Sequence, residues 1–275
     1  MKKTSNQLIA VLALGVLLSA CQKDFDPSSY APKLNIGGYT AASEVAAANL
    51  VAHWGFEGSF KEAVSGDAGA ATGSVLSSGL KMSGMANSGE SYVVYNTPSG
   101  VQSLKSFTVA LWVKANQNTT GIAGLFDIAN PNSFWGNLTI FFENGATADV
   151  AKLKIHVNNN GVDAWLGNYD LNKIWGQWTH LSVTYDAGSS TFKVYSNGSN
   201  IATQVVAGYG PVTFQTPGKM VLGTVHFQTV PSLSNHGKEP WASYLNGSLD
   251  EVRVYNKALT SDEINSLLTL EGKGK

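Results

Sequence analysis

Residues 107–114 read Phe-Thr-Val-Ala-Leu-Trp-Val-Lys, with Phe107, Val109, Leu111 and Val113 alternating against Thr108, Ala110, Trp112 and Lys114. A period of two is the signature of an extended strand. Both sets are largely apolar, so this strand belongs in the middle of a sheet, covered on both faces. Shorter runs repeat the pattern: 50–56, 138–143, 152–157, 178–185, 191–195, 201–206, 220–223 and 248–255. Asn144-Gly145, Asp186-Ala187-Gly188 and Asn197-Gly198 stand between successive runs. Such residues supply the positive φ values of tight hairpin turns, so the chain is expected to be an all-β antiparallel meander. Its 29 glycines suit a protein of many turns.

One helix is expected, and it closes the chain. Thr260-Ser261-Asp262-Glu263 is a capping box, in which the Thr260 hydroxyl accepts from the Glu263 amide and the Glu263 carboxylate reaches back. The helix Ser261 to Leu268 that follows places Ile264, Leu267 and Leu268 on one side, to pack against the strands.

The N-terminus has a different character. Lys2 and Lys3 precede an apolar stretch, Leu8 to Leu18, that is too short to span a bilayer, and Leu18-Ser19-Ala20-Cys21 closes it with small residues. This resembles a bacterial lipobox, which implies cleavage before Cys21, lipidation of that residue and a membrane anchor. The sole cysteine is then spent on the anchor and forms no internal disulfide. Gln22-Lys23-Asp24-Phe25-Asp26 resembles the acidic export signal of Bacteroides-type surface lipoproteins, implying an outer-membrane protein exposed at the cell surface. From Asp26 to about Ala48 the chain is rich in Pro, Ser, Gly and Ala, as a spacer would be, with a short helical turn over Ala41 to Ala48. The expected organisation is a signal peptide at 1–20, a lipidated flexible tether at 21–48 and one domain at 49–275.

Charged residues are only 13% of the chain and the formal net charge is -1, which excludes the basic field that nucleic acid requires.

Three segments together resemble the laminin-G-like branch of the concanavalin A-like lectin/glucanase superfamily. They are 106–113, then 178–186 with its continuation through Tyr195-Ser196-Asn197-Gly198, then 247–255 leading into Ala258-Leu259-Thr260. The resemblance covers roughly Leu50 to Leu270 and implies a jelly-roll sandwich of two antiparallel sheets. It also implies calcium, held by an aspartate on a late strand with companions from earlier segments. Asp250 matches that aspartate, with Glu57 and Gly89 as companions, and hard oxygen ligands suit this ion.

The related glucanases set carboxylates at alternate positions of one strand, facing one cleft. No such strand is present. Asp250 and Glu251 are adjacent, which in a regular strand sends them to opposite faces, and Glu143 stands alone beside a turn. The five histidines show no metal-ligand spacing, and there is no Gly-x-Ser-x-Gly elbow. No catalytic residue is assigned.

Aromatic residues carry the functional expectation. Trp135, Trp165, Tyr169, Trp175 and Trp241 fall in or beside segments rich in Gly, Asn and Pro, and loops on a rigid sandwich concentrate binding residues. Sugar rings stack their C–H faces on aromatic planes, while side chains such as Asn137 and His226 serve the hydroxyls. The expected function is non-catalytic capture of polysaccharide or glycan by a surface lipoprotein, beside other outer-membrane glycan-uptake components. The alternatives are an adhesion or assembly module with a protein partner, and a divergent glycoside hydrolase.

Overall fold

The structure, a computed structural model, describes residues 34–275. The signal, Cys21 and the acidic segment after it lie outside the described residues. Among the described residues sixteen strands form two sheets. In chain order they are β1 (Leu50–Trp54), β2 (Ala70–Thr72), β3 (Val75–Ser78), β4 (Ser83–Asn87), β5 (Tyr92–Asn96), β6 (Phe107–Ala115), β7 (Ile122–Ile128) and β8 (Leu138–Phe142). Then come β9 (Val150–Asn159), β10 (Val162–Asn172), β11 (Thr179–Asp186), β12 (Thr191–Ser196), β13 (Ser199–Val205), β14 (Lys219–Leu222), β15 (Ala242–Ser243) and β16 (Gly247–Tyr255). The first sheet runs β13-β12-β11-β6-β16-β4-β3, with β1 also on β16; the second runs β10-β9-β8-β7-β14-β5-β2, with β15 parallel to β7.

The expected central strand is central: β6 lies between β11 and β16 and, apart from Lys114, is buried throughout. The expected hairpins form as well. At the β12–β13 turn Asn197 and Gly198 have φ of 46° and 78°, the left-handed pair that a two-residue hairpin turn needs. The order is not a simple meander, however, because the chain crosses repeatedly between sheets so that β16 joins β6 and β14 joins β7. The inner faces meet in one core that includes Trp54, Phe107, Leu111, Phe126, Ile140, Phe142, Ile155 and Phe192. This is the double-sheet solution to burying one face of each sheet.

The terminal helix runs Ser261–Gly272, longer than expected, and its Thr260–Glu263 capping box is formed. It docks on the outer face of the first sheet through a buried ionic network. Arg253 donates from Nε to Glu271 and from Nη2 to Glu251, each at 2.6 Å, and Trp112 Nε1 donates to Glu271 at 2.7 Å. His53 meets Glu251 at 2.8 Å. Burial alone would raise the pKa of Glu251, but His53 and Arg253 bring it down to about 2. Burial pushes the His180 pKa down to about 3, reinforced by Arg253. It is therefore neutral, and its 3.9 Å approach to Glu271 is not an ion pair.

Two expectations change here. The segment expected to end a flexible tether is folded: the compact unit is Ile36–Lys275, two short 3-10 turns (Ala42–Glu44 and Ala47–Asn49) precede β1, and the Ala42 amide donates to the Lys275 carbonyl. Ala42 and Val45 are buried, so this stretch belongs to the domain. Asp250 and Glu251 do not alternate across β16 as a regular strand requires. The pairing with β6 shifts between Asp250 and Arg253, Glu251 has φ 46°, and both carboxylates are buried, as a β-bulge permits.

Candidate functional site

The outer face of the second sheet carries the aromatic cluster. Phe141 of β8, His156 of β9 and Trp165 of β10 point away from the core whose inner face holds Ile140, Ile155 and Leu166. Two connections fold over this face: 129–137, between β7 and β8, and 223–246, between β14 and β16. The first lies close because residue 136 is glycine; a Cβ there would collide with the Asp127 carboxylate and meet the Ile128 carbonyl at 2.6 Å. Trp135, beside it, is thereby laid on Phe141, with ring centroids 5.4 Å apart and planes 20° from parallel.

Trp135 then joins the other two. Trp165 stands edge-on to it at 5.0 Å and Trp241 lies at 6.3 Å. Phe134 stacks on Phe227 at 4.6 Å and touches Trp241 at 5.8 Å, which seats the second connection. Trp165 and Trp241 each remain 38% exposed. Three separate segments thus present adjacent indoles on a single face. Exposed apolar groups clustered in this way mark interaction surfaces.

Beside the indoles opens a cleft of about 780 Å³, lined by Asn130, Asn132, Ser133, Phe134, Trp135, Asn158, Gly161, Asp163, Gln215 and Thr216. Asp163 accepts from Asn158 Nδ2 at 2.6 Å and sits 2.9 Å from His156 Nε2. Burial holds the His156 pKa below the ordinary imidazole value, against the opposing pull of Asp163. Amides, hydroxyls and one carboxylate beside flat aromatic rings can bind a polyhydroxylated ligand by stacking and hydrogen bonding.

Other expected residues support this site or lie away from it. Asn137 is fully buried; it donates to the Ala129 carbonyl at 3.1 Å and accepts from the Gln215 amide at 3.0 Å. It ties together two walls of the cleft and is not part of its lining. His226 is also fully buried, with Nδ1 3.1 Å from Asp127 and Nε2 3.5 Å from the Ser133 carbonyl. Burial opposes its charge, but Asp127 and the Ser133 carbonyl together hold its pKa above the usual imidazole value. Tyr169 is turned to the core, because the β9–β10 pairing shifts between Leu166 and Tyr169 and sets it opposite Leu153. Trp175 packs on core Phe142 at 5.4 Å and donates to the Thr147 carbonyl. Neither Tyr169 nor Trp175 joins the three indoles. Sequence reasoning missed Asn130, Ser133, Asn158, Asp163, Gln215 and Thr216. Asn160-Gly161 was a hairpin signal that would have set Asn158 opposite Asp163.

The expected metal ligands divide. Glu57 and Asp250 converge on one turn: Glu57 accepts from the amides of Met82 and Ser83, and Asp250 from those of Leu80 and Lys81. Burial pushes the Asp250 pKa up to about 6, partly offset by these amides. Gly89 follows the opposite end of β4, roughly 15–20 Å from that turn at about 3.3 Å per residue, so it cannot share an ion with Asp250. Among the described residues no group of three or more His, Cys, Asp and Glu side chains could hold a metal ion.

The profile of the laminin-G-like family, described as the concanavalin A-like lectin/glucanases superfamily, matches residues 87–265. No curated protein matches the chain. Domain 4 of AbnA, an extracellular arabinanase of Geobacillus stearothermophilus solved with arabinotriose, is similar at 24% identity with a TM-score of 0.56. The match covers 80% of this chain and 98% of that domain. A structure of botulinum neurotoxin type C, whose cell entry depends on two ganglioside molecules, is similar at 14% identity with a TM-score of 0.60, covering 82% of this chain and 51% of that one. The binding domain of Paraclostridial mosquitocidal protein 1 is similar at 16% identity with a TM-score of 0.58, covering 80% and 52%. The chain therefore spans about half the length of the toxin chains it resembles, and these likenesses are likenesses of fold.

Proposed function

Because the chain belongs to the concanavalin A-like lectin/glucanases superfamily, we propose that it is a non-catalytic carbohydrate-binding protein whose ligand stacks on Trp135, Trp165 and Trp241. The observation that carries this reading is the convergence of three indoles beside one polar cleft on a single sheet face. Asn130, Asn132, Asn158 and Asp163 would serve sugar hydroxyls, while Asn137 and His226 hold the walls. Two similar folds, one solved with arabinotriose and one from a ganglioside-dependent toxin, support the ligand class. The single carboxylate lining the cleft is one fewer than glycoside hydrolysis ordinarily uses. In the wider reading a lipid at Cys21 displays the domain on the outer membrane, delivering captured glycan to uptake partners. A calcium ion at the Glu57–Asp250 turn would have two carboxylates, fewer than a cluster of three, and would need backbone carbonyls to complete its ligands. Asp250, a buried carboxylate, has no cationic side chain paired with it among the described residues, and its hard oxygens suit that ion.

A glycan array with the purified protein tests the reading, followed by an assay for released reducing ends on every hit. Binding without release is expected. Absence of binding across the array, or cleavage of a bound glycan, would overturn it.

A further inference from the structure

The charges around the cleft say which glycans it suits. Asp163 is the sole charged residue of its lining, which contains no lysine or arginine. Its carboxylate is 52% exposed on β10, so it faces whatever enters. The groups that contact it do not neutralise it: Asn158 is an uncharged amide, and buried His156, 1% exposed, is held towards its neutral form.

Lysines of this face have other partners, and Lys219 of β14, which does not line the cleft, bonds to the Asn96 side chain. Lys154 lies over the Trp165 ring at 5.2 Å but is bonded to Glu143 at 2.9 Å, and Lys152 is bonded to Asp170 at 2.6 Å. On the other flank Lys238 is bonded to Glu90 at 2.8 Å and lies over Tyr244. A ligand carboxylate or sulfate would thus meet Asp163 with no free cation lining the cleft to receive it. Like charges set against each other are a common way for an interface to reject a wrong partner.

Resting on the carbohydrate-binding reading above, we infer that the site selects uncharged glycans and rejects acidic ones, and that Asp163 is the residue that rejects them. The indoles supply affinity that does not distinguish the two classes, because the same ring face stacks on either. Asp163 supplies the distinction.

The experiment pairs each neutral hit from the array with its counterpart bearing a carboxylate in place of the C6 hydroxymethyl group. Both are titrated calorimetrically into the parent protein and into Asp163→Asn at low and high salt. The neutral ligand should bind with little salt dependence, and its oxidised counterpart should bind at least about tenfold more weakly, a difference near 1.4 kcal/mol. Salt should narrow that gap by screening, and Asp163→Asn should narrow it further by removing the opposing charge. Equal or tighter binding of the carboxylated ligand would overturn the inference but leave the carbohydrate reading standing. An unchanged gap in Asp163→Asn would overturn the role of Asp163. Failure of both ligand classes to bind would overturn the carbohydrate reading and this inference with it.

Discussion

Replacing Arg253 by methionine should destabilise the domain, by an amount that depends on pH in a defined direction. Arg253 is 4% exposed and links Glu251 to Glu271, which are 4% and 2% exposed. After replacement Glu251 keeps His53 at 2.8 Å, but Glu271 keeps only the Trp112 indole N–H. Leaving a buried charge without its partner costs about 3–5 kcal/mol. At about 2–4 °C per kcal/mol for a domain of this size, the melting temperature should fall by about 6–20 °C at pH 8.5. In the parent, burial already raises the Glu271 pKa to about 7, with Arg253 pulling the other way. A carboxyl whose folded pKa lies above its unfolded value costs stability as pH rises through that interval. Removing Arg253 moves the folded pKa higher still, so the extra cost grows above about pH 7. At pH 5 Glu271 is protonated in both proteins, and the loss should shrink to about 1–2 kcal/mol for the missing hydrogen bonds. Arg253→Met/Glu271→Leu removes the stranded carboxylate and should recover much of the loss. Calorimetric melting at both pH values decides the matter. An equal loss at pH 5 and pH 8.5, or a double variant no more stable than the single, would refute the argument.

Further expectations concern His226 and the Glu57–Asp250 turn. The His226 ring should titrate by NMR with a midpoint above 6.5, and Asp127→Asn should lower it, because Asp127 is what offsets burial. The stability contributed by this imidazolium is complete below pH 6.5 and is lost as pH rises through the folded midpoint; a midpoint below 6.5 in the parent would contradict the pairing. Calcium should raise the melting temperature of the parent at neutral pH and leave Asp250→Asn unchanged. Equal shifts in both proteins would remove Asp250 from the proposed ion site.

The strands read most easily from the sequence were those with one clear period or a marked turn. β6 alternates, β12 and β13 flank Asn197-Gly198, and the capping box at Thr260 fixes the start of the terminal helix. β7 escaped because all seven of its residues are buried, Phe126 and Ile128 in the main core and Ile122 beneath the outer cluster, so its sequence shows no alternation. β10 escaped because its glycine and asparagines resemble a loop while its register shift breaks the period. That same shift separates Trp165, which faces out, from Tyr169, which faces in. The three indoles could be named individually, but their meeting depends on which strands pair. Asn137 and His226 looked like ligand contacts because their chemistry suits sugars. Burial, which a sequence does not state residue by residue, keeps both out of the cleft lining.

The most direct measurement is calorimetric titration of the best glycan-array hit into the parent protein, Trp165→Ala, Trp241→Ala and the off-site variant Trp175→Phe, with folding checked by circular dichroism. Buried or stacked tryptophans commonly contribute about 2 kcal/mol or more to an interface. Trp165→Ala and Trp241→Ala should therefore each weaken binding at least about tenfold, while Trp175→Phe binds as the parent does. Unchanged affinity in folded Trp165→Ala and Trp241→Ala, or no glycan bound by the parent, would contradict the account.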